Sequence, residues 1–342
     1  MATLTQAAIF SKKASFWILI GLVVLIFVLI LLAGGKRIKQ AFFPAGPLPA
    51  SVAFGKLPKV DLGEGIGPAG DVTYTLETIS GDLPTLPGTA KVLAVAEPEP
   101  SFGDLERIKG RFAKIGFLTE PVEISPGRLK FIDPANEARI LTVERLTGNF
   151  TLESDWANNA QVIGGRPASV AQAQQQAETF LRGLGIDTAQ LAPERIEKRN
   201  LRIDGGALTP TAALASANLV EVNFSRSDID GLPVIWPKLE KSKVSVLVSQ
   251  RGVEEATFEV LPLEKFKFAS YPLKGAVRAF EDLKGGKGVF NNVGEKEIVI
   301  VDVSLGYVET GSGSRFLQPF YFFKGLEKFI AYVPAVDERW LE

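Results

Sequence analysis

VEVNFSRSDIDGLPVIWPK, Val220 to Lys238, decides how the chain is read. Val220, Val222 and Phe224 alternate with Glu221, Asn223 and Ser225, the period-two pattern of a half-buried strand. Leu232, Val234 and Trp236 resume the alternation after Gly231. Between the two runs stand two carboxylates, Asp228 and Asp230, a spacing open to a metal loop, an acid/base pair or a bend. A calcium loop of EF-hand type continues with further oxygen ligands and a glutamate near its end. Leu232, Pro233 and Val234 occupy those places. Asp-Gly between alternating runs is a strong hairpin signal, so Asp230 and Gly231 read as a turn.

Composition narrows the chemistry further. The 342 residues contain 38 Lys plus Arg against 39 Asp plus Glu, a balance that gives no sign of a nucleic-acid partner. With no cysteine and no histidine, thiolate catalysis, Ser-His-Asp arrangements and Cys- or His-ligated metals are excluded. An enzyme built from this chain would rely on Asp, Glu, Lys, Tyr, Ser or Thr. No motif points to such a hydrolase, so the expectation is a protein without catalysis, metal or cofactor.

One segment sets the location. ASFWILIGLVVLIFVLILLAGG, Ala14 to Gly35, is roughly 22 residues without a charge, against the ~20 needed to cross a bilayer core. A cleaved signal peptide is the alternative, with Lys12 and Lys13 as its basic region, but such apolar cores run about 7–15 residues. The reading is a retained single-pass anchor in contact with membrane lipid. Lys12 and Lys13 before the span nearly balance Lys36, Arg37 and Lys39 after it, so charge alone leaves orientation close to a tie.

Residues 1–13 then form a short tail, 14–35 the anchor, and 36–71 a tether rich in proline and glycine. Beyond it a helix followed by strands recurs three times, giving units at 72–160, 161–268 and 269–342. The first helix has Leu105, Ile108, Phe112 and Ile115 at helical spacing, and the second has Val170, Ala173, Ala177, Leu181 and Leu184. The third places Leu273, Ala276, Val277, Phe280 and Leu283 in register. Ile115-Gly116-Phe117 and Leu184-Gly185-Ile186 carry one stop signal: a left-handed glycine, then an apolar residue folding back. The third helix ends at Gly285-Gly286. Strand patterns follow each helix, among them EARILTVERL, KVSVLVSQ and KEIVIVDVSLGYVE. The predicted fold class is α+β, with about three small units, each one helix packed on an antiparallel meander.

VNFSRSDIDGLPVIW resembles the core hairpin of PepSY-like domains, and AQAQQQAETFLRGLGI resembles the helix that packs on it. The C-terminal VDVSLGYVETGSGSRFLQPFYFFKGLEKFIAYVPAV is similar to the last sheet of the membrane-anchored YycH/YycI regulators. The chain as a whole resembles uncharacterised single-span bacterial proteins. The first unit lacks the Gly-x-Pro-Val hairpin. The resemblance implies a bitopic protein whose C-terminal domain is extracytoplasmic and binds or regulates another envelope protein. The competing reading is a self-associating structural component of the cell surface.

Other motifs resolve into structure. GIGPAG, Gly65 to Gly70, is interrupted by Pro68 and followed by a strand pattern rather than a helix, unlike a dinucleotide loop. LKGGKG, Leu283 to Gly288, is a helix stop. Asn149-Phe150-Thr151 and Asn223-Phe224-Ser225 match glycosylation sequons by pattern only. In VIVDVSL, Val299, Val301, Val303 and Leu305 form a cleanly apolar face, which turns Asp302 to solvent or an edge. Phe316, Phe320, Tyr321, Phe322 and Phe323 crowd one strand. They read either as a central strand covered on both faces or as an exposed partner-binding patch.

Overall fold

The computed structural model describes residues 49–342, apart from 61, 63–66, 69–71, 238–241, 291–296, 311–312 and 327–328. The expected tail and membrane span lie outside the described residues. Among the described residues, no helix is long and apolar enough to cross a membrane.

Strands β1 (Gly67–Pro68), β2 (Thr73–Leu76) and β3 (Thr89–Val95) precede helix α1 (Asp104–Ala113). Then come β4 (Val122–Ser125), β5 (Arg128–Asp133), β6 (Asn136–Glu144) and β7 (Phe150–Glu153). The short helix α2 (Ala160–Ile163) and the longer α3 (Val170–Gly183) lead to β8 (Leu191–Asp204), β9 (Ala207–Pro210) and β10 (Leu219–Arg226). Next are β11 (Val234–Ile235), β12 (Val244–Ser249), β13 (Gly252–Phe258) and β14 (Leu263–Pro272). Helix α4 (Ala276–Lys284) is followed by β15 (Val289–Phe290), β16 (Glu297–Val308), β17 (Phe316–Leu317), β18 (Pro319–Gly325) and β19 (Ile330–Pro334). The architecture is mixed α+β and strand-rich.

The helix stops act as their sequences indicate. Gly116 and Gly185 adopt φ of 99° and 74°, and Phe117 and Ile186 donate their N–H groups back to Phe112 and Leu181. Both apolar residues are buried. In α4 the left-handed residue is Gly286, and Lys287 N–H reaches the Asp282 carbonyl. The buried face of α4 is Ala276, Ala279 and Leu283, while Val277 is exposed and Leu273 lies before the helix, bridged to Val336.

The first two expected units share a sheet. Nine antiparallel strands run in the order β4-β5-β6-β7-β13-β12-β10-β8-β9. Its seam is the pairing of β7 with β13, where Leu152 faces Ala256. Two half-sheets, each ending in an unpaired ladder, satisfy those backbone groups by joining. Helices α1 and α3 then cover one continuous core that includes Phe112, Phe131, Leu181, Val222 and Val246. The remaining strands of these two expected units lie elsewhere: β3 sits between β14 and β17, and β2 pairs parallel with β16.

The turn at the centre of the opening stretch forms as expected. Asp230 and Gly231 have φ of 52° and 78°, and Ile229 and Leu232 exchange both backbone hydrogen bonds at 2.9 Å. Beyond the turn the chain departs from a simple hairpin. Strand β10 pairs with β8 and β12, whereas β11 leaves for the C-terminal sheet and runs parallel to β16. Pro233 explains part of this: it has no N–H for a central ladder, yet its carbonyl accepts from Tyr307.

The C-terminal sheet runs β1-β15-β19-β18-β16-β11, with β2 also on β16. A register shift between Ile300 and Asp302 changes which residues of β16 face inward. Ile298 and Ile300 therefore share a core with Val303 and Leu305, correcting the simple alternation, and Asp302 is exposed beside Lys324 at 3.0 Å. The segment expected as a free tether is in part packed onto the protein. Leu57 is fully buried and bridges to Leu341, Phe54 meets Phe316, and Val60 and Leu62 join the core behind β18. Among its described residues, Val52, Phe54, Leu57, Val60 and Leu62 find core sites between the prolines, and that burial outweighs the prolines' extended bias.

Candidate protein-interaction site

The aromatic strand is a core element. Phe320, Tyr321, Phe322 and Phe323 are all buried, and Phe316 packs half-buried on Phe54 with ring centroids 4.9 Å apart. Tyr321 and Phe323 face the core under α4, while Phe320 and Phe322 face a second cluster with Tyr332 and Val308. Strand β18 lies between β16 and β19 and is covered on both faces, so it offers no exposed partner patch. Burial raises the hydroxyl pKa of Tyr332 to about 12.

The paired carboxylates of the opening stretch separate. Asp228 meets Arg195 at 2.6 Å, and Asp230 meets Lys91 at 2.8 Å. Each is held by a cation on a different strand, and among the described residues no group of three Asp or Glu converges as a metal site. Of the two sequons, Asn223 is buried, and Asn149 uses both ends of its amide on the Val260 backbone. Gly67 and Pro68 of the GIGPAG stretch pair with Phe290 and Val289.

One group of exposed apolar residues lies at the β4 end of the large sheet. Every residue of β4 is exposed, Val122 at 63% and Ile124 at 52%. Leu118 and Ile132 are also exposed. Among the described residues β4 pairs on one side, with β5, which makes it an edge strand with apolar side chains. Two charged side chains fix the ends of α1, Asp104 at its start and Arg139 beside its stop. Arg139 donates to Asp133 at 2.8 Å and to the Ile115 carbonyl at 2.9 Å. The Ser101 N–H, then Arg107, hold the Asp104 carboxyl below its usual range.

A cleft of about 670 Å³ is lined by residues of β5, β6 and β7, inward of β4 in the sheet. Arg128 joins the two features, pairing with Ser125 of β4 and lining the cleft. Thr142 and Thr151 also line it, as do the ion-paired Lys243 and Glu259 and, beyond β3, Arg315. The lining carries charges of both signs, from Arg128, Lys243 and Arg315 to Glu144 and Glu259. One wall is fixed by a buried ion pair: Glu309 accepts from Arg226 at 3.1 Å and from the Leu261 N–H at 2.5 Å. Sequence reasoning missed both features. VEIS, Val122 to Ser125, carries a short alternation, but nothing local distinguishes an edge strand from a central one.

No family model matches the chain, and no curated protein matches it. Among solved structures, it is similar to an uncharacterized protein from Eubacterium rectale ATCC 33656, with TM-score 0.39 and 12% identity over 77% of this chain and 89% of that one. It is also similar to the C-terminal domain of Bacillus megaterium YpeB, with TM-score 0.33 and 12% identity over 70% of this chain and 95% of that one. Likenesses this distant carry no argument about activity or partners.

Proposed function

We propose that this chain is a single-pass membrane protein of the bacterial envelope whose extracytoplasmic part binds and regulates another envelope protein by contact. Its short sequence resemblance to PepSY-like and YycH/YycI-like proteins agrees with that class. The observation that carries the proposal is the exposed apolar edge β4, paired on one side among the described residues and linked through Arg128 to the cleft. Such an edge accepts an added strand: main-chain hydrogen bonds supply affinity, and pockets for alternate side chains supply specificity. The same edge would serve the competing reading, self-association into a surface layer.

The test compares the full chain, held in nanodiscs, with the variant Val122→Lys plus Ile124→Lys. Solubilised membranes of the source cell are the prey, and a sizing profile is taken alongside. Both side chains are exposed, so the variant is expected to fold normally. Capture of one defined membrane protein by the native chain, reduced at least tenfold in the variant, supports the regulatory reading. Concentration-dependent polymers lost in the variant favour self-assembly. Equal capture and equal elution by both chains refute the edge as the interaction site.

A further inference from the structure

Pro49, where the described chain begins, is held on β14. Ser270 Oγ donates to the Pro49 carbonyl at 2.5 Å, and the Ser51 and Val52 N–H groups donate to the Ser270 carbonyl at 3.0 Å. Four residues back along the same strand, Phe266 is 97% exposed, and Phe268 is 41% exposed. The register between β14 and β3 slips between Leu263 and Phe268, so the segment carrying Phe266 bulges away from its neighbour. Lys267 lies between the two rings, exposed and paired with Glu264 at 3.2 Å. Lys56 and Lys59, close to the same entry point in sequence, are exposed as well.

From this arrangement we infer that the Phe266–Phe268 bulge is a membrane-surface contact of the anchored chain. The inference rests on the proposal that the chain is membrane-anchored. Only 13 residues, 36–48, separate the apolar stretch from Pro49. A segment of that length reaches at most about 45 Å, whatever its conformation. Phe266 lies about 13 Å along the strand from Ser270, at ~3.3 Å per residue. The bulge therefore stays within reach of the headgroups, at most about 60 Å from them. Tethering of this kind gives an effective concentration in the millimolar range, enough to populate a contact too weak to form from free solution. The open Phe266 ring with Lys267 next to it suits the interface, where apolar bodies enter the acyl boundary and the ammonium stays among the headgroups. The Phe268 ring is partly covered by the Lys91 ammonium 4.3 Å away.

The chain has no cysteine, so single labels are unambiguous. An environment-sensitive fluorophore is placed at Lys267→Cys in the full chain, reconstituted in vesicles with and without nitroxide-bearing lipids. Ala212→Cys, exposed beyond β9, is the water control, and Val24→Cys, in the apolar stretch, is the bilayer control. The expected result is blue-shifted emission at 267 with quenching several-fold above that at 212, falling to the 212 level when Phe266→Ser is added. A label at 267 that behaves like the one at 212, with 24 quenched, overturns the surface contact and leaves the anchor standing. An unquenched label at 24 overturns the anchor, and the surface contact with it.

Discussion

Removing Lys274 tests the ionic joint under α4. Lys274 and Asp282 are only 5% and 7% exposed at their side chains and meet at 2.8 Å. Asp282 also meets Lys287 at 3.1 Å, but that lysine is 59% exposed and shared with Glu338. Lys274→Met keeps the length and apolar body of the side chain and leaves Asp282 buried with a solvent-screened partner. Breaking a buried pair from one side costs roughly 3–5 kcal/mol. For a body of this size, at about 2–4 °C per kcal/mol, the unfolding midpoint falls on the order of 10 °C. The pH profile gives a second reading. Burial opposes the ionised form of Asp282, and Lys274 with Lys287 outweighs it, holding the carboxyl below its usual range. A depressed carboxyl stabilises the fold above its unfolded value near pH 4, and that stability is lost as pH falls through the folded value. In Lys274→Met burial acts with less opposition, so the acid loss begins at a higher pH. Replacing both partners, as Lys274→Met with Asp282→Leu, is expected to recover most of the stability, because no charge is left unpaired. Thermal and urea unfolding of the full chain between about pH 3 and 8 measures all three proteins. A single variant within about 1 kcal/mol of the native chain, with the same acid profile, refutes the assignment.

Gly306→Ala would set a methyl group on the Phe322 ring and 2.6 Å from the Pro233 carbonyl, and overpacking of this kind costs about 1–3 kcal/mol, read by urea unfolding. Phe322→Ala empties a site between Tyr332 and Val308 and is expected to cost about 3–5 kcal/mol in the same assay. Gly116→Ala forces an L side chain to φ 99° at the α1 stop and is expected to lower stability by about 1 kcal/mol or more, whereas Gly103→Ala, with open space around it, changes little. Glu309→Gln keeps the shape of the Arg226 joint but leaves that guanidinium without its counter-charge; a loss of about 1–3 kcal/mol and faster hydrogen exchange at Leu261 N–H check it.

The local grammar of the fold was legible because its causes are local. A glycine that must adopt positive φ announces itself at Gly116 and Gly185, and the turn at Asp230-Gly231 needs only four residues. The destinations of strands were not legible. Whether Val234 and Ile235 return to β10 or leave for β16 is decided by which ladder is open seventy residues later. The bulge after Ile300 shifts the inward face of β16 without any glycine or proline to mark it. The aromatic strand shows the same gap: its composition fits either an exposed patch or a doubly covered strand. Residues far upstream, Val60 and Leu62, decide the matter by covering its second face. At the candidate site, edge status is a property of the whole sheet, so VEIS gave no warning of it.

That non-local assembly also explains the two carboxylates of the opening stretch. Arg195, the partner of Asp228, belongs to β8 in the nine-stranded sheet, and Lys91, the partner of Asp230, belongs to β3 in another. Between them the turn hands the chain from β10 to β11, and so from the large sheet to the C-terminal one. Both ion pairs are partly exposed, and pairs of that kind contribute only about 0–1 kcal/mol each. The firmer connection is backbone: β11 on β16, and Tyr307, whose hydroxyl donates to the Lys91 carbonyl at 2.9 Å. The carboxylates thus tie the turn weakly to one strand in each of two sheets. Their spacing of two suits that task, since residues i and i+2 across a tight turn can reach cations on two different strands.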